Sequence, residues 1–338
     1  MLDVRLNVPA TEFSTMRAGG TLAQLVTINT PEDIPEAYAT AHTTGLPLRI
    51  LGGGSNTVFG DTNLPYLFAH MQIQGIRIEH ETESTVTIAC GAGVPWDSLV
   101  DWCVTRGYAG VELLSWIPGT IGAAPVQNIG AYGTEFANIA HRIEFFDTET
   151  QQFTSFSNQQ CDFGYRMSIF KREQSRRIVS KVALTLSKAT PVLPAHPEIR
   201  AEMSEDSSIP LLMRIRNAVI AVRTRKLPDP RTIPNCGSFF MNPVVSKATV
   251  EHIQKEFADI PTYSATGGTK LSAGWLIERA GYKGFVRGAT GTHDRHALVI
   301  VNRGGATGSD IQAMANEIAE AVFNRFGIRL VPEVNFIF

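Results

Sequence analysis

A mixed helix-and-strand protein of roughly two domains, with room for three small ones, is what this sequence predicts. Three observations carry that expectation. Segments with helical apolar spacing alternate with short runs of strand-like alternation. Glycine-rich turns occur twice, at 52–54 directly after a strand-like run and through the stretch 114–135, LSWIPGTIGAAPVQNIGAYGTE. Hydrophobic residues make up 43% of the 338 positions and charged residues 18%, a balance that buries a sizeable core.

The same composition excludes several function classes. A net charge of −2 gives no electrostatic case for nucleic acid. The opening MLDVRLNVPA lacks a basic region followed by an apolar run, so no secretory signal is expected. No apolar run approaches ~20 residues, so no membrane insertion is expected. Cys90, Cys103, Cys161 and Cys236 are scattered without metal-ligand spacing, which suits reduced thiols in a cytoplasmic enzyme and no metal.

Taken in order, Thr30-Pro31-Glu32-Asp33 reads as a helix start, with a hydroxyl N-cap and proline at the first helical position. Ile34, Ala37, Tyr38 and Ala41 give that helix its apolar face, and Gly45 ends it. A strand at 48–51 runs into Gly52, Gly53, Gly54, Ser55 and Asn56. This turn is neither a dinucleotide fingerprint, whose third glycine would fall at Thr57, nor a P-loop. A strand at 85–89 precedes a helix over 95–106, with Trp96, Leu99, Val100 and Cys103 on its core face. Ile143 and Phe145 alternate with Arg142 and Glu144 before a polar run at 147–152, the pattern of a hairpin.

Within 114–135, glycines at 119, 122, 130 and 133 stand among small residues, while Pro118 and Pro125 fix the backbone. Glycine permits close backbone approach, and successive N–H groups form a concavity suited to a phosphate or a ring edge. A tight buried connector is the alternative reading. Arg166, among Phe163, Tyr165 and Phe170, needs an anionic partner if it is buried.

The polar, proline-bearing stretch 187–207 reads as a linker or mobile loop. Leu212, Ile215, Val219 and Val222 then mark an amphipathic helix ending in Arg223-Thr224-Arg225-Lys226. Val250, Ile253 and Phe257 mark another helix, and Ser272 caps a short one that Gly281 stops. His293 and His296 are expected as surface imidazoles, because no third ligand follows them. A capping box at Ser309-Asp310-Ile311-Gln312 opens the last helix, Gly327 stops it, and 328–338 forms the last strand.

Together, the turn ILGGGSNTV at 50–58, the 114–135 stretch, the DFGYRMSIFK run at 162–171, NCGSFFMNP at 235–243 and PEV at 332–334 resemble the UDP-N-acetylenolpyruvoylglucosamine reductases. These are FAD enzymes of peptidoglycan precursor synthesis, and the resemblance spans about 17–338. It implies an α+β fold in three parts: 1–62, completed by 328–338; 63–217; and a substrate domain at 218–327. The first two would bind FAD in the manner of vanillyl-alcohol-oxidase-like flavoproteins.

By resemblance the FAD contacts are Gly52, Gly53, Gly54, Ser55, Asn56, Pro118, Gly119, Gly122, Ala123, Asn128, Gly130, Ala131, Tyr132 and Gly133. Related oxidases place a flavin-bonding histidine in the first turn, so Asn56 implies a non-covalent cofactor. Arg166 would grip the substrate carboxylate, Ser238 would donate a proton and Glu333 would assist while protonated. Tyr165, Lys226, Asn242, Tyr263 and Lys283 match substrate-binding positions for UDP-N-acetylglucosamine enolpyruvate, with NADPH as hydride donor. Longer members close a lid tyrosine over the substrate diphosphate; here Ala195 and His196 occupy that region, and His196 is the nearest polar substitute. A cytoplasmic monomer is expected. Another FAD oxidoreductase on this scaffold, acting on a sugar or alcohol, and a non-catalytic nucleotide-sugar binder are the alternatives.

Overall fold

The structure is a computed structural model that describes residues 2–338. The fold is α+β, and the chain groups into two compact units.

Among the described residues, the first unit comprises 2–8, Leu22–Gly54 and Pro65–Arg225. Its four-stranded sheet has the order Arg5–Pro9, Thr21–Ile28, Asn63–Met71, Leu48–Leu51, the last two strands being parallel. A five-stranded antiparallel sheet follows in the order Gln152–Ser157, Ala140–Asp147, Arg177–Ser187, Thr85–Gly91, Ile76–Glu81. The expected hairpin is therefore present, with Phe145 and Ile143 turned into the core. Helix Trp96–Thr105 buries the expected face of Trp96, Leu99, Val100 and Cys103. At roughly 1.5–3 kcal/mol per fully buried large apolar side chain, that face alone explains why the helix docks. Helix Leu211–Lys226 likewise buries Leu212, Ile215, Val219 and Val222.

The second unit comprises Pro9–Thr21, Ser55–Leu64 and Lys226–Phe338. Two three-stranded sheets, of Val244–Val245, Gly268–Leu271 and Thr262–Ala265, and of Val286–Arg287, Thr290–Thr292 and Ile300–Asn302, are packed by helices Lys247–Gln254, Ala273–Arg279 and Gly308–Phe326. Strand Asn335–Ile337 pairs in parallel with Thr57–Phe59, so the C-terminus completes the segment that follows the glycine turn. Ile311, Met314, Ile318 and Val322 anchor the last helix in a core with Phe239, Phe240, Leu276 and Ile277.

Several element boundaries differ from the sequence expectation, each for a local physical reason. The first helix runs Asp33–Thr44, and its opening is closed by the Asp33 carboxylate, which accepts the N–H groups of Asn29 and Thr30, rather than by the Thr30 hydroxyl. The last helix is capped by Thr307, whose hydroxyl accepts the Asp310 N–H while Asp310 accepts the Thr307 N–H. Thus the box sits two residues earlier than Ser309. The last strand is confined to Asn335–Ile337. Within 187–207 a short helix, Pro197–Glu202, docks Ile199 onto Ile215, Val219 and Val222. His293 is buried at 5% exposure, not at the surface, and burial lowers its pKa. All four cysteines are buried and free, and burial pushes the thiols of Cys90, Cys161 and Cys236 up to about 12.

Candidate functional site

In the first unit, the glycine turn at 52–54 packs directly on the 114–135 loop. A methyl group at Gly53 would lie 3.3 Å from Gly119 Cα, one at Gly52 would lie 2.7 Å from Thr120 Oγ1, and one at Gly122 would meet Ala92 Cβ at 2.7 Å. The connector reading thus holds for part of the stretch, because these glycines permit close packing. The remainder is a lining of exposed or half-buried backbone: Pro118, Ala123 and Gly133 are exposed, and Gly119, Gly130, Ala131 and Tyr132 are half-buried.

Left-handed backbone concentrates here. Trp116, Asn128, Tyr132 and Arg166 all have positive φ, at 61°, 44°, 53° and 53°, alongside Gly54, Gly119 and Gly133. Non-glycine residues in this region are costly and persist where surrounding contacts hold them, typically at ligand-binding sites. Those contacts are visible. Asn128, 1% exposed, donates from Nδ2 to Glu135 Oε2 at 2.8 Å and to the Gly164 carbonyl at 3.0 Å, and its Oδ1 accepts the Ala137 N–H at 2.9 Å. The Asn128 amide therefore ties the loop to itself and to the Arg166 turn.

Arg166 sits in a turn closed by reciprocal main-chain bonds between Gly164 and Met167, at 2.9 and 3.1 Å. Its Nη2 donates to the Gly130 carbonyl at 3.0 Å, and a methyl group at Gly130 would approach Arg166 Nη1 to 3.3 Å. Lys171 Nζ holds the Arg166 carbonyl at 3.1 Å. Buried Ser168 donates to the Val126 carbonyl at 2.7 Å. Tyr165 lies beside the guanidinium, with ring centroid and Cζ 5.4 Å apart. The tyrosine-arginine-x-serine pattern is thus one clamp onto the 114–135 loop.

Two arginines missed by sequence reasoning complete this region. Arg223 donates from Nε to the Trp116 carbonyl at 3.2 Å and bonds Tyr132. Burial pulls the Arg223 pKa down, Tyr132 opposes that, and the like charge of Arg166 adds to it. Burial is also the main cause that raises Tyr132. Tyr132 in turn meets the His196 ring edge-on, at 5.1 Å and 79°. Arg216 and Arg223 lie seven apart, two turns along one helix face, and that spacing is the signal that could have found them.

Arg216, 6% exposed, forks onto Asp97 at 2.7 and 2.9 Å, and Asp97 Oδ1 accepts the Trp116 N–H at 2.6 Å. Burial pushes the Asp97 carboxyl up, but the Arg216 and Trp116 hydrogen bonds and the Arg216 charge outweigh it and hold the pKa below the ordinary value. A depressed folded pKa gives stability that is present above the unfolded value, about 3.9, and is lost as pH falls through the folded value. Wild-type stability should therefore fall more steeply below about pH 4 than that of Asp97→Asn. Denaturation midpoints measured across acid pH check this, and parallel curves for the two proteins would contradict it.

In the second unit, Phe239 accepts the Glu333 N–H at 2.9 Å and Val331 accepts the Met241 N–H at 2.9 Å. These bonds lay the serine motif against the PEV segment, so Ser238 and Glu333 are carried by facing segments joined by a single bridge between Phe240 and Pro332. Gly237, at φ 68°, delivers Ser238, and Asn235, 3% exposed, accepts the Gly237 N–H at 2.8 Å while donating to the Pro228 and Ile233 carbonyls. The Ser238 hydroxyl is half-buried and bonds to none of the described residues. Asn56 Nδ2 donates to the Glu333 carbonyl at 3.0 Å, and Asn56 also accepts the Asn335 N–H at 3.0 Å. Asn56, expected at the cofactor, thereby clamps the segment of Glu333.

Asn242 Oδ1 accepts the Ala273 N–H at 2.9 Å, which fixes its amide beside the helix start. Lys283 pairs with Glu278 at 3.0 Å, Tyr263 is 53% exposed on its strand, Ser55 is half-buried and Lys226 is exposed at the helix end. Arg166 and Tyr165 belong to the first unit, whereas Ser238, Glu333, Asn242, Tyr263 and Lys283 belong to the second.

Chemically, the first unit offers main-chain amides, glycine-lined turns and two guanidiniums. That donor set fits a dinucleotide cofactor with a diphosphate, and the glycines supply the close approach it needs. The second unit offers a hydroxyl and a carboxyl group on facing, main-chain-bonded segments, the equipment of general acid chemistry.

Comparison with known proteins agrees with this division. Residues 22–151 match the family model described as FAD binding domain, and residues 229–337 match that of the UDP-N-acetylenolpyruvoylglucosamine reductase C-terminal domain. The reductase of that name from Pseudomonas aeruginosa is 41% identical over 90% of this chain and 90% of its own. The one from Dechloromonas aromatica is 41% identical over 98% of each. The crystal structure of UDP-N-acetylenolpyruvylglucosamine reductase from Thermus caldophilus shares the fold, with a TM-score of 0.68, 23% identity, and coverage of 99% of this chain and 98% of that one.

Proposed function

Because this chain belongs to the UDP-N-acetylenolpyruvoylglucosamine reductase family and is an FAD-dependent oxidoreductase of peptidoglycan synthesis, we propose that it reduces UDP-N-acetylglucosamine enolpyruvate to UDP-N-acetylmuramate with NADPH, at non-covalent FAD. The observation that supports the mechanism is the main-chain pairing of the segments that carry Ser238 and Glu333, together with the clamp on Arg166. The three-part division at 1–62 with 328–338, 63–217 and 218–327 is proposed as the functional one.

FAD, held by the glycine turns of the first unit, would supply the hydride-transfer chemistry between NADPH and the vinyl terminus of the enolpyruvyl group. The chain's own residues do the rest. Hydride addition at the terminus builds negative charge on the adjacent carbon and into the carboxylate, so preorganised donors aimed at those oxygens give the largest stabilisation. Arg166 supplies a planar fork for that carboxylate. Glu333, in its protonated form, donates to the same developing charge. Ser238 then delivers a proton to the adjacent carbon. Asn128 and Asn235 hold these groups in place.

The backbone of 52–54 and 118–133 would hold the cofactor. Tyr165, Lys226, Asn242, Tyr263 and Lys283 would hold the sugar nucleotide, with His196, through its contact with Tyr132, in the place of the lid tyrosine. No helix among the described residues is long and apolar enough to cross a membrane.

Anaerobic titration of the yellow protein tests the proposal. NADPH should bleach the flavin absorbance, and the UDP-enolpyruvyl sugar should then restore it stoichiometrically. Failure of the second step, with peroxide released from a simple alcohol or sugar instead, would overturn the substrate assignment.

A further inference from the structure

The second unit holds a cavity of about 710 Å³ whose lining includes none of the residues assigned above to cofactor, substrate or catalysis. Cavities of this size commonly accommodate a metabolite-sized ligand. A single buried amide organises its wall. Asn302, 4% exposed, donates from Nδ2 to the Met16 and Arg17 carbonyls at 3.0 and 3.2 Å, and its Oδ1 accepts the N–H groups of Gly304 and Ala306 at 2.9 and 3.2 Å. It thereby fixes two backbone segments distant in sequence, each carrying an arginine to the cavity.

Both segments are held in uncommon conformations. Arg17 has φ 50°, and Gly304 and Gly305 have φ 115° and 78°. A non-glycine residue held at positive φ by a buried side chain is the kind of strain that accompanies a ligand clamp. The charge is also unbalanced. The Arg17 guanidinium donates to the Arg231 carbonyl at 3.0 Å, and neither it nor Arg303 has a carboxylate partner among the described residues. The one acidic side chain of the lining, Asp294, faces the buried His293 ring at 3.2 Å. Between the charges the wall is apolar, from Ile233, Val286 and Val301.

Two guanidiniums over an apolar wall match a phosphate group attached to a flat or apolar body, since guanidinium binds phosphate with paired N–H donors. We propose that this cavity binds a small phosphorylated ligand, with its phosphate on Arg17 and Arg303 and its body against Ile233 and Val286. It is a site additional to the reaction the enzyme carries out, and the inference does not depend on the roles assigned to Arg166, Ser238 and Glu333.

Calorimetric titration of the full-length, flavin-loaded protein with inorganic phosphate and, separately, with AMP at low chloride tests it. Saturable binding is expected, weakened about tenfold by Arg303→Gln and by Arg17→Gln, and weakened by added salt. Arg303 is exposed, so its variant keeps its fold, flavin content and turnover. Binding of AMP without phosphate would support a site that reads the nucleoside body too, and comparable binding of both would support a site for the phosphate alone. Absence of saturable heat with either ligand, or wild-type affinity in Arg303→Gln, would overturn the proposal. Because the readout is binding rather than turnover, such a failure leaves the reductase mechanism standing.

Discussion

Ser238→Ala is expected to lower turnover of the enolpyruvyl substrate by about 10² to 10⁴-fold, the range of a lost general acid, while NADPH still bleaches the flavin at the wild-type rate. The structure makes this substitution clean. The Ser238 hydroxyl is bonded to none of the described residues, so its removal breaks no internal contact, and Gly237 and Asn235 still present the same backbone. Stopped-flow absorbance separates the two half-reactions. Equal slowing of both would mean that Ser238 positions the ring system rather than supplying a proton, and normal turnover would remove it from the mechanism.

Arg166→Lys is expected to lower kcat/KM for the same substrate by about 10² to 10³-fold with the charge unchanged, because a point charge replaces a planar fork at the carboxylate. The turn itself should survive, since Lys171 and Ser168 brace it through main-chain carbonyls. What is lost is the Nη2 bond to the Gly130 carbonyl, which fixes the direction of the side chain. Circular dichroism and flavin content should match wild type. A lysine variant of undiminished kcat/KM would show that charge alone suffices and that the clamp on the guanidinium serves only the loop.

Much of this arrangement was legible in the sequence, and the parts that were not share a cause. Helix Trp96–Thr105 and the hairpin of Ala140–Asp147 with Gln152–Ser157 follow from apolar period, which survives whatever the chain packs against. The helix starts differ because Asp33 closes the turn that precedes its helix and Thr307 caps the last one, where several neighbouring hydroxyls or acids could have served equally. His293 stands in a polar run, HDRH, yet is buried in a loop that its N–H closes onto the Val299 carbonyl at 2.9 Å, which the polar composition does not signal.

At the site, glycine-rich turns announced close approach, yet composition could not separate the glycines that pack, such as Gly52 and Gly122, from those that line, such as Gly133. Arg223 was hidden in a basic helix end that reads as dipole complement, and only its register with Arg216 and the valines beneath distinguishes it from Arg225, which pairs outward with Glu198 and Glu202. Asn56 shows the limit in another way. Its type suggested a flavin left unbonded, whereas its amide secures the Glu333 segment, a contact between segments far apart in the chain.

A crystal structure of the flavin-loaded enzyme with the UDP-enolpyruvyl sugar measures directly whether the two units bring their groups to one substrate. The expected result is the Arg166 guanidinium on the carboxylate, with the Ser238 hydroxyl and the Glu333 carboxyl each within about 2.6 to 3.2 Å of the enolpyruvyl group or one water away. A complex in which Ser238 or Arg166 remains beyond the reach of a single bridging water from that group would contradict the account.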